Sequence, residues 1–512
     1  MLKNRTPMQS EIYETITSDI LTYEMKVNTL AKHAENALDI LEMSDAVKTY
    51  RAAGIICDLY EGSAPYRPRY IVPDYEKFMK QGSAFLKIEP AKSLYDAINN
   101  LQILYRHVPS ITTFPVYIGN IDLLLEPYIG LEKNDPNYVS DEAAYEAIKR
   151  FLIYIDRTIT DSFCHANIGP KATQTGYMIL KAERELQDSI PNITLKYSAE
   201  TSQEFAIDAI KTGMITAKPS FANHDMFASE FGEHYAIVSC YNGLPIGGGS
   251  YTLARLVLSR LAEKTTNLET FLNESLPDVV AQMVQYMDER IRFIVEEVGF
   301  FGHHFLSKEG LLDYENFTAM FGMVGLAEAV NHFMPEVERF GHSEKAEALG
   351  VKIMEVLQAE VNKYDNPHLK ATKGHYLLHA QVGIDTDIGI SPGVRIPIGE
   401  EPPIYEHIFN AQKFHKYFPS GVGDIFTFDQ TVAKNPEYVL NLIKGAFKNG
   451  MRYISFYGDD ADVIRITGYL VKKSEIEKLS RGEMVLRDTV VLGKGAVDNA
   501  KIYERKVRNE SN

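Results

Sequence analysis

Cysteine is scarce in this chain of 512 residues: Cys57, Cys164 and Cys240 stand far apart and form no C-x-x-C pair. That spacing argues against a disulfide framework and against a zinc site built on thiolates. Each cysteine taken alone reads first as a small buried apolar residue, with reactivity as the alternative. Long apolar runs are missing as well: none approaches the roughly 20 residues of a spanning helix. The N-terminal MLKNRTPMQSEIYE lacks the apolar core of a signal peptide. Positive charge is the minority sign, with 53 Lys and Arg against 69 Asp and Glu and a net charge of −16. Such a surface argues against nucleic acid and against an anionic membrane as partners. There is no basic patch, short-period repeat or low-complexity tract. These absences predict a cytoplasmic protein. What is plentiful is core, since 45% of the residues are hydrophobic, enough for one large domain or a few smaller ones.

The first hundred residues read as helical. Ile12, Ile16, Ile20, Tyr23, Val27 and Leu30 recur at helix spacing and make one apolar face. Residues 31–60 continue helix-like and carry Cys57. The segment GSAPYRPRYIVP (62–73) holds three prolines and reads as loop or extended chain. Ser93 then opens a helix with Leu94, Ile98, Leu101 and Tyr105 on one face, and Asp96 completes a capping box.

From residue 111 the pattern changes. ITTFPVYIGNIDLLLEPYI (111–129) reads as a strand, a turn and a short helix ended by proline. Ser140 caps a long helix with Ala144, Ile148, Phe151, Leu152 and Ile155 inward. That helix leads into DRTITDSFCHANIGP (156–170), dense in polar groups rarely buried without purpose: Asp161, Cys164, His165 and Asn167. KPSFANHDMF (218–227) adds Asn223 and Asp225. In EHYAIVSCYNGLPIGGGS (233–250), residues 235–239 read as a short buried strand ending at Cys240, followed by Tyr241, Asn242 and a glycine-rich turn. Gly247, Gly248 and Gly249, with Ser250 and a helix expected after them, lack the Lys-Ser or Lys-Thr pair of a phosphate loop. They also lack the spacing of the dinucleotide fingerprint. A turn that lets the cysteine loop pack tightly is the simpler reading. A helix N-terminus holding a substrate anion is the other.

Residues 268–298 read as a long helix. His303 and His304 follow; adjacent residues of a strand face opposite sides, so at most one faces a pocket, and no metal site is expected. SPGVRIPIGEEPPIYEHI (391–408) reads as a proline-rich loop, 435–449 as a helix and 453–457 as a strand. The tail over 484–507 offers further strands. Between strand and tail lies VIRITGYLV (463–471), an apolar, β-branched run broken by Gly468. An isolated glycine in such a run usually marks a bulge or a close backbone approach. A second role also wants glycine alone. A backbone radical at Cα needs a planar centre delocalised into the flanking amides, and a Cβ would crowd it.

Arg-Ile-Thr-Gly-Tyr (465–469) resembles the glycyl radical motif, and other segments resemble blocks of that superfamily in the same order. These are G-x-x-D-x-x-L-x-P-Y at 119–128, the Pro-Ser block at 218–227, the cysteine strand before Cys240, the Gly-Leu-Ala-Glu block within 317–330 and SGVGDIFTFD at 420–429. Together they span about 119 to 470, and the chain is similar above all to the YjjI-type glycyl radical enzymes. The resemblance implies an α/β fold: a ten-stranded β/α barrel of two antiparallel-related halves. It implies a helical region over 1–110, the barrel over 111–456 and the radical loop and tail over 457–512. Gly468 would store the radical, with Arg465, Thr467 and Tyr469 in its loop. Cys240 would become the thiyl that takes a hydrogen atom from a small-molecule substrate. Cys164, His165, Asn167, Asn223, Asp225, Asn242 and one of His303 or His304 are candidates for the pocket wall. No tightly bound cofactor is implied, only the radical as a modification of Gly468. The implied partners are an activating radical S-adenosylmethionine enzyme with an iron–sulfur cluster and a second copy of the chain.

Three departures bear on the reaction. The dehydratase and C–N lyase branches place a glutamate base two residues after the cysteine, where this chain has Asn242, and an amide cannot take up a proton as a carboxylate does. Pyruvate formate-lyase has two adjacent cysteines, whereas Ser239 and Tyr241 flank Cys240 here. Anaerobic ribonucleotide reductases carry a C-terminal cysteine-rich zinc site, and no cysteine lies beyond Cys240. Lyase, acyltransferase-like and reductase-like reactions stay open, as does a non-catalytic scaffold that has kept the barrel.

Overall fold

The computed structural model describes residues 6–59, 61–109, 116–159, 163–381 and 386–509. Its N-terminal part is helical, in shorter pieces than the apolar spacing suggests. Thr6, Thr22 and Ser44 each accept a backbone N–H at an N-cap, opening the helices Pro7–Thr17, Tyr23–Asn36 and Asp45–Ala52. The face expected from Ile16, Tyr23 and Val27 is left exposed. Cys57 sits on a strand, β1 (Ile56–Cys57), and the proline-rich segment ends in β2 (Tyr70–Val72). The helix Leu94–Tyr105 has the predicted Ser93–Asp96 capping box and buries Leu94, Ile98, Leu101 and Tyr105.

Four strands then alternate with helices: β3 (Tyr117–Asn120), β4 (His165–Ile168), β5 (Asn192–Tyr197) and β6 (Ser220–Asn223). All four pair in parallel in sequence order. The crossovers are the helices Asp141–Thr158, Gln174–Leu186 and Gln203–Thr216, which is how parallel neighbours must be joined. A buried hairpin follows, β7 (Tyr235–Val238) and β8 (Asn242–Pro245), and then β9 (Gly248–Val257), β10 (Phe317–Val324) and β11 (Leu377–Ala380). The last three are parallel, with β1 and β2 antiparallel on β9. Finally come β12 (Asp424–Phe428), β13 (Tyr453–Gly458), a second hairpin of β14 (Val463–Arg465) and β15 (Leu470–Lys472), and β16 (Val507–Arg508).

One sheet runs β16-β12-β13-β6-β5-β4-β3, and the antiparallel β6–β13 pair joins its two parallel halves. The other holds β1, β2, β9, β10 and β11. A backbone bond from Ala380 N to Gly421 O, 3.0 Å, ties the second sheet to the first. This is the α/β architecture with a helical N-terminal region that the sequence implied. Among the described residues twelve strands form these two hydrogen-bonded sheets, and the other four form the two separate hairpins. Every residue of β9, β10, β12 and β13 is buried, as expected of strands covered on both faces.

Several expectations need correcting. Gly248 and Gly249 open a strand, and no helix N-terminus exists there to hold an anion. A Cβ at Gly248 would lie 2.0 Å from Asn316 O, and one at Gly249 2.1 Å from Tyr70 O, so these glycines let neighbouring backbones close on β9. His303 and His304 belong to short helical turns, Phe300–His303 and the cap of Phe305–Lys308, so strand alternation does not apply to them. The proline-rich stretch passes into a helix at Ile404–His415. The tail forms the helix Asp488–Asn499, with only β16 as strand. The long helix from Leu268 is interrupted by π turns at Phe271–Ser275 and Phe293–Glu297.

Candidate active site at two hairpin tips

Hairpin β7–β8 is a buried two-stranded ribbon with a three-residue tip, Ser239-Cys240-Tyr241, closed by the pair Val238 and Asn242. Ser239 takes φ +62°, the left-handed conformation a tight tip demands. The edge of β7 that turns away from β8 has backbone groups that must be paired inside the protein. Side chains of the large sheet do this. Lys196 Nζ donates to Tyr235 O at 2.5 Å. Asn167 donates to Ile237 O at 2.9 Å and accepts Ile237 N–H at 2.8 Å. His165 Nδ1 lies 2.8 Å from Ser239 O. Residues 235, 237 and 239 share one side of a strand, so one row of posts serves them all. His165 and Asn167 thus hold the hairpin by its backbone.

The carbonyl of Ser239 can only accept, so Nδ1 of His165 carries the proton and Nε2 accepts from Thr194 Oγ1 at 2.7 Å. Thr194 Oγ1 in turn lies 2.9 Å from Tyr453 OH, which is then its donor. Burial pushes the His165 imidazole down to about 3, so it stands neutral. Cys240 is 2% exposed, and its Sγ donates to Asn242 Oδ1 at 2.8 Å. Burial pushes its thiol up to about 11, against the pull of the Tyr241 backbone N–H and the charges of Arg395 and Arg465. At neutral pH the sulfur therefore keeps its hydrogen. That suits hydrogen-atom transfer and disfavours attack by a thiolate.

The second hairpin, β14–β15, brings Gly468 to its tip, closed by a bond from Ile466 N to Tyr469 O at 3.0 Å. Two buried arginines hold it by its carbonyls. Arg505 donates to Arg465 O and Ile466 O, each at 3.1 Å, and to Tyr457 OH at 2.8 Å. Arg465 donates to Asn192 Oδ1 at 2.9 Å, to Ala217 O at 3.0 Å and to Gly468 O at 3.5 Å. Thr467 and Tyr469 are buried, and the Tyr469 ring lies 5.0 Å from that of Phe163. The helix Asp488–Asn499 packs over this hairpin, with Gly493 against Val471 and Tyr469.

Asn192 joins the two tips. Its Nδ2 lies 3.3 Å from Ser239 O and 3.3 Å from Gly468 O, while its Oδ1 accepts from Arg465. One buried amide therefore touches the residue before the thiol and the candidate radical glycine. We predict that Asn192→Ala, which strips partners from two buried carbonyls and a guanidinium, lowers stability by about 2–3 kcal/mol in urea unfolding. A loss below about 0.5 kcal/mol would show that these bonds carry little.

Other predicted residues lie elsewhere. Cys164 packs in the main hydrophobic core at the start of β4, where its carbonyl receives Asn192 N at 2.8 Å. Asn223 donates to Phe447 O and Met451 O and fastens the end of β6. Asp225 is exposed on the helix His224–Phe231. His303 is exposed and bonds Val298 O. His304 sits between the rings of Phe300 and Phe305, pushed down to about 4 by burial and then by Arg67 and His107. Neither histidine reaches the two tips. Asp161 lies outside the described residues. Asn192, Thr194, Lys196, Tyr453 and Arg505 were not anticipated. The signal available was NITLKY, whose polar residues alternate with Ile193 and Leu195 on a strand buried on both faces.

A family model described as "Glycyl radical enzyme YjjI-like" matches residues 21–508. A protein of Haemophilus influenzae is 45% identical over 510 residues, 98% of each chain. Among solved structures, the B12-independent glycerol dehydratase from Clostridium butyricum superposes with a TM-score of 0.71 at 13% identity, covering 98% of this chain and 89% of its own. The anaerobic ribonucleotide reductase from Thermotoga maritima does so with a TM-score of 0.64 at 15% identity, covering 84% of each. These two likenesses speak for the fold.

Proposed function

The chain belongs to the YjjI-like family of glycyl radical enzymes, and from that premise we propose that Gly468 stores a radical which Cys240 turns on a small-molecule substrate. The Gly468 Cα radical takes the hydrogen atom of the Cys240 S–H, so that a C–H bond forms and a thiyl remains. The thiyl takes a hydrogen atom from the substrate, and the reverse steps restore both residues. The observation that carries this reading is the Asn192 amide shared by Ser239 O and Gly468 O. Hydrogen-atom transfer needs short, fixed distances, and two hairpin tips clamped to one strand supply rigidity. Asn242 keeps the thiol hydrogen oriented through its Oδ1, and burial limits the access of solvent to the sulfur to slow exchange.

In this reading residues 111–456 supply most of the barrel and 457–512 the radical loop and its cover, with 1–110 packed on the barrel and adding β1 and β2 to one of its sheets. The protein works in the cytoplasm, without a tightly bound cofactor. A radical S-adenosylmethionine activase with an iron–sulfur cluster installs the radical, and two copies of the chain associate. Asn242 in place of a carboxylate speaks against dehydration by a base at that position. Ser239 beside Cys240 speaks against acyl transfer through a cysteine pair.

Air tests the reading. Dioxygen adds to a carbon radical and fragments the backbone there. Activated protein exposed to air should lose a C-terminal piece of about the 44 residues 469–512, seen by mass spectrometry. An intact mass after exposure, in protein with a proven organic radical, would place that radical elsewhere.

A further inference from the structure

Arg395 carries a charge that the proposed hydrogen transfer does not use. It lies in the loop between β11 and the helix Ile404–His415, and its own N–H closes a turn on Pro392 O at 3.0 Å. The side chain is half-buried. Its Nε donates to Gly423 O at 2.8 Å, and its guanidinium carbon lies 5.8 Å from the centre of the Tyr241 ring. Those two contacts fix the plane of the fork. Nε to Gly423 is its only side-chain hydrogen bond among the described residues, and no described carboxylate forms an ion pair with it. The terminal nitrogens Nη1 and Nη2 are left open.

Other arginines of the interior are matched. Arg255 grips Asp387 through two bonds of 2.6 and 2.9 Å. Arg290 meets Glu61 at 3.0 Å and Arg452 meets Glu230 at 3.1 Å. Arg465 and Arg505 are spent on the radical hairpin. Arg395 differs in that its terminal nitrogens have no partner among the described residues: the Asp424 carboxylate feels its charge but is bonded to His407 and to Ile425 N–H. Tyr241, against which it rests, follows Cys240 directly. The segment that anchors its Nε packs on the same tip: a Cβ at Gly421 would lie 2.3 Å from Tyr241 O, and one at Gly423 3.1 Å from the Tyr241 ring. The side-chain charges that act on the Cys240 thiol are positive, those of Arg395 and Arg465. An oriented fork with two free donors is the shape that recognises carboxylate or phosphate.

We propose that Arg395 binds an oxyanion group of the substrate through Nη1 and Nη2, so that the substrate is a small anion, a carboxylate or a phosphate ester, whose other end meets Cys240. The proposal rests on Cys240 being the hydrogen-abstracting residue. Its test needs no radical, and so fails independently of that reading. Unactivated full-length protein is titrated at constant ionic strength with propionate, inorganic phosphate or uncharged propionamide, and binding is followed by calorimetry and by the unfolding midpoint.

The expected result is saturable binding of at least one oxyanion, weakened about tenfold or more in Arg395→Gln. Arg395→Lys should fall between, since the point charge stays while the fork is lost. Binding of propionate alone marks a carboxylate substrate and binding of phosphate alone a phosphorylated one. Binding of both marks an oxyanion site tolerant of either. If Arg395→Gln unfolds, the comparison of wild type with Arg395→Lys and of propionate with propionamide decides. Equal effects of propionate, phosphate and propionamide, no binding at all, or affinities unchanged by substitution at Arg395 would overturn the proposal.

Discussion

Gly468→Ala is expected to abolish the organic radical of the activated protein while leaving the fold intact. In the wild type the unpaired electron at Cα couples to the one remaining hydrogen, and the anaerobic EPR spectrum should be a doublet. Alanine has a Cβ where the radical centre must flatten into the flanking amides, so storage is lost and turnover falls by more than about a thousandfold. The contacts of the tip are those of its backbone: Gly468 O with Asn192 and Arg465, and Ile466 N with Tyr469 O. An alanine keeps those groups, so the change in stability should stay near the usual 1 kcal/mol or so of a point substitution. The variant should also resist cleavage in air. A doublet of undiminished intensity in Gly468→Ala would place the electron elsewhere, with the buried Tyr469 the first residue to substitute.

The parts of this site differ in how openly the sequence declares them. Gly468 and Cys240 stand out because each breaks a β-branched run at a tip, and a tip is local. The polar run before β4 also stands out, but only as unusual polarity, and its purpose is not local. His165 and Asn167 answer backbone groups of Ser239 and Ile237, about seventy positions along the chain. Asn192 is harder still, since it meets Gly468, 276 positions away. NITLKY alternates like a strand with one face in water. Here that face looks onto a buried hairpin, so alternation gives the strand and misleads about its surroundings. Gly248 and Gly249 show the same limit. A glycine pair before an apolar run reads as a turn, whereas the cause is the approach of Tyr70 O and Asn316 O from distant segments. The N-terminal helices failed differently: the spacing of apolar residues ran on through a break that the caps Thr22 and Ser44 mark.

Cys240→Ser separates storage of the radical from its use. The hydroxyl is nearly isosteric with the thiol and can donate to the same acceptor, Asn242 Oδ1, so the hairpin should keep its shape. The posts that hold it, Lys196, Asn167 and His165, all bond to backbone and do not sense the change. An O–H bond, however, is much stronger than the S–H bond, and a glycyl radical cannot readily take its hydrogen. The variant should therefore accept the radical at Gly468 and give the same doublet, yet turnover should fall to background, by more than about a thousandfold. Solvent deuterium gives a second readout that needs no substrate. In the wild type the thiol hydrogen exchanges with water and passes to Gly468, so the doublet should collapse in D2O. With serine the doublet should persist. Cys57→Ser and Cys164→Ser serve as controls. Cys164 is fully buried, so its serine variant should lose about 1–3 kcal/mol of stability while still turning over. Substantial turnover by Cys240→Ser would transfer the hydrogen-abstracting role to another thiol, with Cys164, beside Asn192 in the same sheet, the next to test.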